Sequence, residues 1–82
     1  MRSEENINAH QIVFGLSRQE DERSLADFLR LFAGQRLTSV LIPRMTDEEI
    51  SQTVERLSRI MRNHLTEKEY HSLFLGEPGQ DT

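Results

Sequence analysis

The chain has 82 residues, a net charge of −4 at neutral pH, no cysteine and an apolar share of 35%. Those figures allow one small domain and exclude a disulfide framework or a thiolate metal site. The acidic balance also argues against a generic nucleic-acid or anionic-membrane binder, which normally carries a basic excess.

A chain this short buries only about 60% of the surface it exposes when unfolded, and its single core supplies roughly 3–5 kcal/mol. Small proteins make up the shortfall with disulfides, a metal or self-association. With the first absent and no metal pattern in view, self-association into a homodimer is the expectation. No apolar run approaches the length of a membrane span, and the opening "MRSEENINAHQ" lacks a hydrophobic signal core. The absence of cysteine fits a reducing compartment, so a cytoplasmic location is expected.

Residues 1–6 read as a frayed start. "NAHQIVFGL" suits a helix or a short strand, because Ile12, Val13 and Phe14 are compatible with both; a helix ending near Gly15 is the preferred reading. Ser17-Arg18-Gln19-Glu20 then has the form of a capping box, in which the hydroxyl accepts from the backbone three residues on and the carboxylate reaches back. It opens a helix from about Arg18 to Ala33. Leu25, Phe28, Leu29 and Phe32 form one face of that helix, and Leu31 lies off it. Glu20, Asp21 and Glu22 sit in the first turn, where the helix dipole favours them. Gly34 stands where a left-handed C-terminal cap belongs.

The next stretch, "QRLTSVLIP", admits two readings. As a strand it would point Leu37, Ser39 and Leu41 one way and Thr38, Val40 and Ile42 the other, with Pro43 at its end. As a helical turn or loop it would lie over the core. The strand would need a partner for its backbone, and a second copy of the chain could supply it. "LFAGQRLTSVLIPR" resembles a stretch of the phage middle-operon transcription activators, in which a helix ends in a glycine-bearing turn followed by a short strand ending Ile-Pro-basic. The matching positions are Gly34, Gln35, Leu37, Ile42, Pro43 and Arg44. Thr38, Ser39 and Val40 are extra residues, and no DNA-binding domain is recognisable downstream. The resemblance implies a dimerising strand.

Thr46-Asp47-Glu48-Glu49 is a second capping box, flanked by the apolar pair Met45 and Ile50 in hydrophobic-staple positions. The helix it opens runs to about His64. Ile50, Val54, Leu57 and Met61 alternate spacings of four and three, the seam of a helical hairpin or short coiled coil. Thr66-Glu67-Lys68-Glu69 is a third box, with Leu65 and Tyr70 as its staple. It opens a short helix to Leu75, stopped by Gly76 and Pro78. The tail, residues 77–82, is polar and expected to be disordered.

No catalytic constellation stands out. His10, His64 and His71 lack metal-site spacing, and Ser17, Thr46 and Thr66 are accounted for as caps. No metal, cofactor or enzyme activity is expected. Arg56, Arg59 and Arg62 span about 120° of one helix face. They read as a solvated face, or as a ridge for an acidic protein or for nucleic acid.

The expected fold is mostly α: three or four short helices in a small bundle, residues 1–76, with a short strand around 37–42 as an option. The expected function is a non-catalytic protein-interaction module, an adaptor, regulator or inhibitor, acting as a homodimer. Its candidate interface residues are Leu31, Leu37, Val40, Leu41, Ile42 and Met45. Two alternatives stay open. One is a small nucleic-acid-binding regulator using the three arginines. The other is an acidic nucleic-acid mimic using Glu20, Asp21, Glu22, Asp47, Glu48 and Glu49.

Overall fold

A computed structural model describes residues 7–77. The expected fraying of residues 1–6 and the expected disorder of residues 78–82 concern positions outside the described residues. The protein is mostly α-helical, with four helices and no strand among the described residues. It divides into two compact units, Met1–Arg44 and Met45–Thr82.

In the first unit the preferred helix before Gly15 does not form. A single 3-10 turn spans Ala9–Gln11, and the backbone turns extended at Ile12. Asn8 explains this locally. Its side chain accepts from the His10 N–H at 3.0 Å, a turn-forming bond that competes with helix propagation. The chain then continues without regular structure to Gly15, whose φ of +94° is open to glycine and strained for other residues. Two polar side chains of the following helix hold this segment. Val13 N–H donates to Ser24 Oγ at 3.3 Å, and Gly15 N–H donates to Asp21 Oδ1 at 2.9 Å.

Helix α1 spans Arg18–Phe32. Ser17 Oγ accepts from Glu20 N–H at 3.1 Å, so half of the expected capping box is present. The other half is not made, because the Glu20 carboxylate pairs with Arg23 instead. That hydrogen bond and the carboxylate's charge raise the Arg23 guanidinium further above its ordinary value. Gly34 also departs from expectation. It is not a left-handed cap; with φ −58° and ψ 139° it is the N-cap of a second helix, α2, Gln35–Leu41. A Cβ there would stand 3.3 Å from Leu31 O, so a close backbone approach is what the position requires.

The strand reading of residues 37–42 is thereby overturned, and with it what the phage-activator resemblance implied for this stretch. Helix α2 satisfies its own backbone, whereas a lone strand would have needed a partner. Thr38 Oγ1 donates to Gly34 O at 3.1 Å, and Ser39 Oγ donates to Arg36 O at 3.1 Å. Pro43 has no N–H to continue the ladder, and the unit ends in a 3-10 turn, Ile42–Arg44.

In the second unit, helix α3 spans Asp47–His64 and carries a complete capping box. Glu49 N–H donates to Thr46 Oγ1 at 3.0 Å, and Thr46 N–H donates to Glu49 Oε1 at 2.9 Å. The Thr66–Glu69 box is equally complete, at 3.1 and 2.9 Å. It opens α4, Glu67–Glu69, which runs straight into a π-helical turn, Tyr70–Phe74. The wider turn stacks Tyr70 on Phe74, with ring centroids 5.5 Å apart. Gly76, with φ +70°, reverses the chain. Glu77 N–H then reaches His71 O at 3.0 Å, and its carboxylate meets His71 Nδ1 at 2.9 Å.

Candidate protein-interaction faces

What lies buried in this protein is not its apolar residues. Among the described residues the buried side chains are Ser24, 1% exposed, and Asp27, 8% exposed; no apolar side chain joins them. On α1 the reason is geometric. Ser24, Asp27 and Leu31 share a stripe at spacings of three and four, and it lies beside the Leu25–Phe28–Leu29–Phe32 stripe. The N-terminal segment is anchored to Asp21 and Ser24, so it covers the edge of the polar stripe. Leu31 is half-buried. Leu25, Phe28, Leu29 and Phe32 remain exposed. Phe28 stacks on Phe32 at 6.2 Å and meets the edge of Phe14 at 6.5 Å.

The winding of α2 changes how the interface candidates are arranged. A strand would have split them between two sides. At about 100° per residue, Leu37, Val40 and Leu41 instead fall on one face. Leu37 and Val40 are exposed, Leu41 is half-buried, and Ile42 follows exposed in the 3-10 turn. Met45 belongs to the second unit and is half-buried.

On α3 the seam is open over most of its length. Ile50 is exposed, as are Val54 at 59% and Leu57 at 47%, while Met61 is half-buried. Ile60 widens the apolar side and is also exposed. His64 is exposed at the helix end, and Leu65 and Tyr70 are half-buried.

The charged candidates are spent largely on local work. Arg59 pairs with Glu55 at 3.0 Å. Arg56 and Arg62 are exposed and form no ion pair with another described residue. On the helical wheel Glu55 falls between Arg62 and Arg59, so the ridge is not purely basic. Among the acidic residues, Glu22 pairs with Arg18 at 2.8 Å, Glu20 with Arg23, and Glu48 accepts from Gln52 at 3.1 Å. Asp21 and Glu49 hold backbone N–H groups, as described above.

Ser24 went unnoticed in the sequence, and Asp21 was read only as a first-turn acid and not as an anchor for Gly15 N–H, because serine and aspartate within a helix ordinarily face solvent. The available signal was their i, i+3 spacing beside an apolar stripe, shortly after a glycine. Compared with known proteins, the chain matches no family model, no curated protein and no solved structure.

Proposed function

We propose that this chain is a non-catalytic protein-interaction module that acts as a homodimer. The observation that carries this reading is the unburied apolar surface. Three helices each present a continuous apolar face, and none of those side chains is buried. Exposed apolar stripes of this extent, edged by charged and polar residues, are what interaction surfaces present before a partner covers them. The small core permitted by this chain length points the same way.

The prominent hydroxyl and carboxylate groups serve as caps and anchors, which supports a structural role for them rather than acid–base or nucleophilic work. The cysteine-free composition supports action in a reducing compartment such as the cytoplasm. The carboxylate within the arginine ridge and the local engagement of the acidic residues weigh against the two nucleic-acid readings.

Sedimentation velocity at micromolar concentration tests the proposal. A species of twice the 9.6 kDa chain mass is expected. A monomer of 9.6 kDa would sink the homodimer reading.

A further inference from the structure

Building on the homodimer reading, we infer that the dimer forms by antiparallel pairing of α3 with α3 of a second copy, about a two-fold axis between Glu55 and Arg56. The inference rests on the order of residues along the exposed seam. Taken from either end, the seam reads large apolar residues inward and a charged or polar group outward: Asp47, Ile50, Val54, then Leu57, Met61, His64. The spacings are three, four, three, four, three, so the series is its own mirror image about its midpoint.

An antiparallel copy centred there sets Val54 against the partner's Leu57, and Ile50 against the partner's Met61. These are the mixed a-to-d layers of an antiparallel helix pair. The outer layer sets Asp47 against the partner's His64. Asp47 lies in the first turn of α3 and His64 in the last, so an acidic group meets an imidazole at each end of the pair. A parallel pair would instead stack Asp47 on the partner's Asp47 at one end and His64 on the partner's His64 at the other.

The flanks of the seam agree. In the antiparallel register Ser51 faces the partner's Ser58, small against small, which lets the backbones approach. On the other side Thr53 faces the partner's Ile60, methyl against apolar side chain. The flanking positions carry no charge, so nothing charged is desolvated beside the seam. Glu48, Glu55, Arg56, Arg59 and Arg62 all lie on the far side of the wheel, where they stay in water. A second copy therefore covers Ile50, Val54, Leu57 and Ile60, four of the exposed apolar side chains, without burying an ionic group other than the end pairs.

Engineered cysteines read this geometry directly, because the native chain has none. Positions 50 and 61 lie about 16 Å apart along α3, so in the antiparallel register a cysteine at either position is that far from the same position of the partner, too far for a disulfide. Chains carrying Ile50→Cys and Met61→Cys are prepared separately, then oxidised mildly alone and mixed. The mixture is expected to form a mixed disulfide at least about fivefold faster than either variant cross-links with itself, since only that pairing places the two sulfurs in the same layer. As a second readout, His64→Glu should weaken the dimer at least about threefold by opposing two carboxylates, while His64→Lys keeps it. Circular dichroism confirms that both variants retain their helices.

Self-cross-linking of either variant at the rate of the mixture would overturn the antiparallel arrangement. A chain that sediments as a dimer without the mixed disulfide would place the contact elsewhere, leaving the homodimer reading intact. A wild-type chain that sediments as a monomer would remove both.

Discussion

Ser24 shows how much a single small polar side chain does in a protein with so little apolar burial. Its hydroxyl accepts the Val13 N–H across an eleven-residue separation, and it is the most buried side chain described. Ser24→Ala should cost about 1 kcal/mol in urea denaturation, because Val13 N–H loses its partner where water enters poorly. Ser24→Leu should cost more, roughly 1–3 kcal/mol, by forcing the N-terminal segment off the helix. Gly15 and Gly34 are sensitive for opposite reasons. At Gly15 there is open space but a φ of +94°, so Gly15→Ala should cost about 1 kcal/mol through backbone strain. At Gly34 the backbone angles suit any residue, and the obstacle is Leu31 O in front of the missing Cβ.

Among the elements, α3 and α4 owe their starts to reciprocal caps. Thr46→Ala should lower stability by about 1 kcal/mol, and Thr46→Asp should restore most of it, since aspartate caps as well as threonine and suits the dipole. The same comparison at Ser17 should be smaller, because only half of that box forms. The helices also separate the two candidate interaction faces. Leu57→Glu, in the centre of the α3 seam, should convert the dimer to a monomer with α-helical content retained at low temperature. Leu41→Glu falls on α2, where the side chain is half-buried. It should destabilise the first unit while leaving a dimer in sedimentation. The reverse outcome for these two variants would return the self-association surface to residues 31–45.

For the molecule as a whole, stability and association should be inseparable. With no apolar side chain buried among the described residues, the proposed second copy would supply part of the missing core, and mass action would then link folding to concentration. A tenfold rise in protein concentration should raise the melting temperature by about 3–6 °C. A concentration-independent transition would mean that the dimer contributes nothing to folding.

Helices α1, α3 and α4 were legible in the amino-acid order because their signals are local. A cap residue acts on a backbone N–H three positions away, and apolar spacing of three and four needs only the helical repeat. Even there the chain held choices that local rules do not rank. Glu20 had both Ser17 N–H and Arg23 within reach, and took Arg23. Residues 35–41 combine β-favouring side chains with hydroxyls that can bond back along a helix. Propensity alone left both forms open, and helix α2 emerged because its backbone is satisfied without a partner. The π turn at Tyr70–Phe74 likewise has no sequence signature; the ring stacking that accompanies it is a contact, not a pattern.

The order of residues thus settled the helical class, the cap positions and the apolar stripes, all of which depend on neighbours within about one helical turn. Which stripe is covered is a different kind of fact. The N-terminal segment lies along the Asp21–Ser24 side of α1 because two of its N–H groups find acceptors there, and the larger apolar stripe is left open beside it. Periodicity identifies a face that can be buried; only the positions of atoms distant in the chain decide whether it is.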